Sequence, residues 1–144
     1  MACAVSNHPV GVDVQMIGKY KLNVADRVCN KTELAKIAAS DNLAADFTKL
    51  WTWKEAYAKW IGEGVGRIVP PAEQMGHVHL TIHSLNDAFL SVVHLQYLES
   101  RIVFVSDAYY HELRWYERIQ RLCLLLLMSH SEPQKVVLLI DVGN

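Results

Sequence analysis

A chain of 144 residues with 51% hydrophobic and 20% charged side chains holds enough apolar material for one ordinary core and is too apolar for a disordered segment. Its formal net charge of -1 gives no bulk attraction for a polyanion, so no nucleic-acid partner is expected and any anion site must be local. Cys3, Cys29 and Cys123 are odd in number and include no C-x-x-C pair, which excludes a disulfide framework or a cysteine zinc site and fits a reducing, cytoplasmic setting.

Taken in order, Ala2 to Ser6 and Val10 to Gln15 are β-prone runs separated by the turn-forming Asn7-His8-Pro9. Their spacing predicts a hairpin with Asp13 near a strand end. Asn30-Lys31-Thr32-Glu33 has capping-box spacing and predicts a helix start. From Asp46 to Ile61, Phe47, Leu50, Trp51, Ala58 and Ile61 recur at helical steps, and Gly62 and Gly64 supply a stop. His77 to His83, Phe89 to Tyr97 and Arg101 to Ser106 alternate as strands, with a turn at Asn86-Asp87, and predict a three-stranded antiparallel meander. Tyr109 to Met128 looks helical, and Val136 to Ile140 fits either a buried strand or a helix segment.

Met1 to Pro9 lacks a signal-peptide pattern, and the longest apolar run, Leu122 to Met128, is far shorter than the ~20 residues of a membrane span. The chain therefore reads as soluble, with no membrane partner. With no repeat or linker, the expected division is a domain over residues 1–106 and a C-terminal extension over 107–144.

Among the candidate chemical groups, Asp13 lies between valines in Gly11-Val12-Asp13-Val14-Gln15. A carboxylate in such a strand needs a cation or donors to offset its desolvation, although a strand-end aspartate is equally a turn or capping residue. Glu55 and Lys59, four apart in Trp51-Thr52-Trp53-Lys54-Glu55-Ala56-Tyr57-Ala58-Lys59, share a helix face, which alone is also what a solvated ion pair looks like. Trp51 and Trp53 are two apart on that helix, so at least one of them packs rather than lines a site. His77, His79 and His83 alternate on a strand as metal ligands do, yet no carboxylate or cysteine accompanies them.

Together, Gly11-Val12-Asp13-Val14 and Trp51-x-Trp53-Lys54-Glu55-Ala56-x-x-Lys59 resemble the two signature motifs of the 4'-phosphopantetheinyl transferase superfamily. Lys31-Thr32-Glu33 and Gly62-Glu63-Gly64 extend the resemblance, which runs from about Ala2 to Ser106 and is similar to the second, C-terminal half of the surfactin-synthetase-activating type. It implies an α+β fold: a phosphopantetheinyl transferase-like half with an antiparallel sheet packed against one long and one shorter helix, here followed by a C-terminal helical extension. It also implies transfer of 4'-phosphopantetheine from coenzyme A to a serine of an apo acyl- or peptidyl-carrier protein, with Mg²⁺ as cofactor.

Carried over by position, the resemblance makes Asp13 and Glu55 the metal ligands. Gln15 stands where many relatives carry a further acid, and it offers a carbonyl oxygen without charge. Lys59 matches the lysine that contacts coenzyme A phosphates, with Lys54 and Lys31 as further contacts. Glu55 and Lys59 are then the catalytic pair, with Glu55 or a metal-bound water taking the serine proton. Since the larger enzymes place coenzyme A between two halves, the expected working form is a homo-oligomer or a pairing with a missing N-terminal half. A coenzyme A- or carrier-protein-binding homologue impaired in catalysis is the alternative.

Overall fold

The computed structural model describes residues 2–6, 8–62, 78–95, 99–105 and 135–141. They form two compact units, Pro9–Tyr97 and the pair of segments Met1–His8 and Leu98–Asn144.

The Pro9–Tyr97 unit contains β2 (Val10–Met16), α1 (Leu22–Val28), α2 (Lys31–Ala38), α3 (Leu43–Ile61), β3 (His79–Ser84) and β4 (Ala88–His94). Its sheet has the order β2-β4-β3, antiparallel throughout, with Asp13 opposite Ser91 and Ile82 opposite Ser91 on the other side. The other unit contains β1 (Ala2–Val5), β5 (Glu99–Val105) and β6 (Lys135–Asp141) in the order β1-β6-β5. There β6 is antiparallel to β1 and parallel to β5.

The helices start and stop where side chains satisfy their exposed backbone groups. Asn30 Oδ1 accepts from the Glu33 amide at 2.8 Å and Glu33 Oε2 accepts from the Asn30 amide at 2.8 Å, the reciprocal arrangement expected from the sequence. α3 starts at Leu43, three residues ahead of the expected Asp46, because Asn42 Oδ1 caps the Ala45 amide. It stops at Gly62, whose φ of 76° is the left-handed conformation that a residue without Cβ adopts at little cost. α1 was not expected: Lys21 at its N-cap makes no side-chain capping bond, so the usual sequence signal is missing.

Two expected pairings give way to others. β1 and β2 do not form a hairpin with each other; β2 pairs along its whole length with β4, from Val10 opposite His94 to Met16 opposite Ala88. β4 and β3 form the expected hairpin around Asn86-Asp87, but β5 joins β6 in parallel instead of completing a meander. A parallel pair needs a crossover of about a dozen residues or more, which the 106–134 stretch exceeds in length. Val136 to Ile140 lies in a strand, the first of its two expected alternatives. The expected helix Tyr109–Met128, and with it the C-terminal helical extension and the division after Ser106, fall in residues 106–134, outside the described residues.

α3 is the long helix expected against the sheet, lying across β2 and β4, and α2 is the shorter one beside it. Trp53, Ala56, Tyr57 and Ala58 of α3 bury with Val93 of β4, with Leu50, Trp60 and Val78 around them. Gly11 is where β2 comes down onto the helix. A Cβ built there would overlap the Ala56 carbonyl oxygen and lie 2.7 Å from the backbone nitrogen and Cβ of Trp60. Thr48 and Thr52, buried on the same helix, return their hydroxyls to the Ala44 and Thr48 carbonyls at 2.7 Å, so neither needs a partner across the interface.

Gly11→Ala is expected to destabilise the chain by about 1–3 kcal/mol or more, since helix and strand must separate to admit one methyl group. Urea unfolding of the variant beside the wild type measures this, and an unchanged midpoint would contradict the described contact.

Candidate functional site

Side chains two apart on a strand share a face, so the Gly11 contact turns Asp13 toward α3 as well. There Lys59 Nζ lies 2.6 Å from Asp13 Oδ1, joining strand and helix across 46 positions of sequence. Lys59 is 51% exposed and Asp13 13%, so the pair sits at the lip of the sheet–helix interface. The second carboxylate oxygen, Asp13 Oδ2, is buried and has no hydrogen-bond partner. Glu55, one helical turn before Lys59, is half-buried on this face and close enough to feel the charge of Asp13.

The electrostatics fit two acids held close in a partly dry place. Burial raises the Asp13 pKa, and the hydrogen bond and charge of Lys59, with a smaller contribution from a Val14 backbone hydrogen bond, pull it partway back. Burial also raises that of Glu55, Asp13 adds to the rise, and Lys59 opposes it. Burial thus disfavours the charged form of each acid, Lys59 offsets part of that cost, and one carboxylate oxygen of Asp13 is left without a hydrogen bond. Hard oxygen donors of this kind suit Mg²⁺, which keeps several of its own waters and takes only one or two carboxylates from a protein. The residues present fit such an ion.

Not every sequence candidate gathers here. Gln15 lies two positions beyond Asp13 on the same strand and is exposed. Lys31 is exposed in the first turn of α2, with no described contact to Asp13 or Glu55. Lys54, next to Glu55 in sequence, points elsewhere. It is 3% exposed, and its Nζ donates to Glu33 Oε2 at 2.7 Å and to the Val28 carbonyl at 2.6 Å. That ammonium ties the α1–α2 junction to α3. The sequence carried no sign of this pairing, since Glu33 was read as a helix cap and as part of the Lys31-Thr32-Glu33 segment, not as a partner of Lys54.

Trp53 is core and Trp51 is half-buried, stacked on Phe47 with ring centroids 6.3 Å apart. His79 stacks on His94 at 5.8 Å, and His77 lies outside the described residues. Among the described residues no group of three or more His, Cys, Asp or Glu side chains could hold a metal ion. Ser91 was missed: directly across the ladder from Asp13, it is fully buried with its hydroxyl unpartnered. A serine inside an apolar strand run gives no periodic signal by which to find it.

The architecture and the site point to one class of protein. The chain superposes with a TM-score of 0.50 on the crystal structure of holo-[acyl-carrier-protein] synthase from Neisseria meningitidis, over 62% of this chain and 98% of that one at 20% identity, a likeness of fold. A sequence model of the 4'-phosphopantetheinyl transferase superfamily matches residues 9–113, and the chain belongs to that family. Similar curated proteins are the 4'-phosphopantetheinyl transferase gsp of Aneurinibacillus migulanus, 36% identical over 67 residues, and the 4'-phosphopantetheinyl transferase Sfp of Bacillus subtilis, 32% identical over 65. These alignments cover 45% and 44% of this chain but only 28% and 29% of the relatives, so the chain matches less than a third of their length. No helix among the described residues is long and apolar enough to cross a membrane.

The buried pair has a measurable signature. Glu33→Ala should cost about 3–5 kcal/mol by stranding the Lys54 charge, whereas Lys54→Met combined with Glu33→Leu should recover most of it. Urea unfolding of the two variants beside the wild type tests the pair, and a double variant as unstable as Glu33→Ala would contradict it. Nearby, burial pushes the Cys29 thiol up to about 11, partly offset by the Lys54 charge. Because the folded state holds this proton more tightly than the unfolded chain, stability should fall as pH rises from about 9 toward 11. On a Cys3→Ser, Cys123→Ser background, the iodoacetamide alkylation rate of folded protein should keep climbing to about pH 11, and a plateau reached by pH ~10 would show an ordinary thiol.

Proposed function

We propose that this chain transfers the 4'-phosphopantetheine group of coenzyme A to a serine hydroxyl of an apo acyl- or peptidyl-carrier protein, in a Mg²⁺-dependent reaction in the cytoplasm. The observation that carries the reading is the convergence of Asp13 from β2 with Glu55 and Lys59 from α3, one oxygen of Asp13 being buried without a partner. Membership of the superfamily supports the reaction class.

In this reading Asp13 and Glu55 would hold Mg²⁺, and the exposed Gln15 would offer an amide carbonyl. Bound there, the ion neutralises the diphosphate of coenzyme A. Lys59 is exposed and mobile enough to lay its ammonium against the phosphate oxygens, where negative charge gathers as the bonds change. The serine oxygen forms a bond to the β-phosphorus, and the bond from that phosphorus to the bridging oxygen breaks. The electron pair leaves with 3',5'-ADP. Glu55, whose burial and neighbouring Asp13 raise its proton affinity, accepts the serine proton at a carboxylate oxygen. Lys54 has no part in this scheme beyond fixing α3. In this reading a second copy of the chain, or an N-terminal half, completes the cleft.

A second reading, a coenzyme A- or carrier-protein-binding homologue impaired in turnover, draws on Gln15, which places an uncharged amide where many relatives add an acid.

The test is incubation of the purified chain with coenzyme A, Mg²⁺ and a panel of apo carrier proteins, read by intact mass. A carrier heavier by one phosphopantetheine unit, only when Mg²⁺ is present, is the expected result. Glu55→Gln and Asp13→Asn should each lower the rate by about 10²-fold or more. Glu55→Gln should stay folded and at least as heat-stable at neutral pH, because a raised carboxylate pKa means that native stability falls as pH rises through the gap above the ordinary value. Transfer that survives in both variants would remove these residues from the chemistry, and absence of transfer to any carrier would favour the second reading.

A further inference from the structure

Asp13 already has a cation. Lys59 reaches it from the last turn of α3 and sits 2.6 Å from Oδ1, on the carboxylate that a divalent ion at this site must share. Two positive charges drawn to one carboxylate repel each other, so the ammonium that stabilises Asp13 in the resting fold opposes the ion. The opposition is not fixed. Lys59 is 51% exposed on an unbranched stem, so it can swing away without disturbing the core, unlike Lys54, whose ammonium is buried and held by two acceptors.

Phosphate oxygens change the balance. They accept charge-assisted hydrogen bonds from an ammonium and bring negative charge of their own, so a diphosphate draws Lys59 off Asp13 and leaves both carboxylate oxygens for the ion. We infer that Lys59 is a displaceable counter-ion on Asp13, which makes divalent-cation binding and diphosphate binding positively coupled: each ligand alone meets a site half-blocked by the other's partner, and each opens it for the second. The inference rests on the Mg²⁺ and coenzyme A reading of the site. Linkage makes the coupling reciprocal, so it appears equally in metal affinity measured with and without the anion.

Mn²⁺ serves as the probe for Mg²⁺, with binding to the full chain read from the electron paramagnetic resonance signal of free Mn²⁺. Wild type should bind Mn²⁺ alone weakly, and saturating coenzyme A should tighten it by about 10-fold after correction for Mn²⁺–coenzyme A complexes in buffer. Lys59→Met should bind Mn²⁺ alone about 10-fold more tightly than wild type and lose most of the enhancement by coenzyme A. Lys59→Arg keeps the charge and should bind Mn²⁺ alone as weakly as wild type. Circular dichroism confirms that each variant is folded, as the exposure of Lys59 leads one to expect.

If Asp13→Asn abolishes Mn²⁺ binding while Lys59→Met binds it no more tightly than wild type, the counter-ion role is overturned and the metal site stands. If wild type and Asp13→Asn bind Mn²⁺ equally, or neither binds it with coenzyme A present, the metal site and the coupling fall together.

Discussion

The absence of a side chain at Gly11 lets a strand lie directly on a helix, and the arrangement of charged groups follows from that contact. Where β2 meets Ala56 and Trp60 there is no room for a Cβ. The pleat of the strand then carries Asp13 to the same face two residues later, and the helix presents Glu55 and Lys59 one position before each of those contacts. Polar groups this close to a core are costly unless satisfied. Here the cost is met in part by the Asp13–Lys59 bond and left open in part at Asp13 Oδ2, and an unmet cost of that kind is what a bound ion relieves.

The two lysines of the helix motif divide structure from chemistry. Lys54 is enclosed and satisfied by a carboxylate and a carbonyl, and its surroundings leave the ammonium no freedom. Through Glu33 it joins the capping box of α2, so one network fixes the helix start, the α1–α2 junction and the middle of α3. Lys59, five residues on, is half in water and bonds to Asp13 while also lying within reach of the Glu55 charge. Removing one member of a buried pair strands a charge, whereas an exposed ammonium changes partners at little cost.

Much of this was legible in the sequence because it is written locally. The Asn30–Glu33 cap, the stop at Gly62, the long amphipathic helix and the Asn86-Asp87 turn each depend on residues within one or two turns of each other. The approach of Asp13 to the Glu55–Lys59 face came from motif resemblance, not from spacing, and the 2.6 Å Asp13–Lys59 bond agrees with it. What the sequence hid was long-range choice. Asn7-His8-Pro9 is an adequate turn, yet β2 finds a longer partner in β4 than β1 could offer, and β5 leaves the meander for a strand thirty-odd positions away. The Lys54–Glu33 pair was hidden for a related reason. The neighbour of Lys54 in sequence is Glu55, but its partner Glu33 lies 21 positions back, and burial, which decides the matter, leaves no mark on a charged residue in a motif.

The adjacency of Lys54 and Glu55 has a geometric corollary for the tolerance of α3 to change. Consecutive residues on a helix are turned by about 100°, and that step separates a side chain that anchors the scaffold from one that faces the carboxylate of β2. Substitutions leave this division intact, but inserting one residue between the helix start and Lys54 would turn Lys54 into the angular place of Glu55 and Glu55 into that of the buried Ala56. The acid would be driven toward the apolar layer and the anchoring ammonium out into water. α3 therefore works like a key cut on two sides, whose teeth accept some wear but whose length cannot change by a single residue.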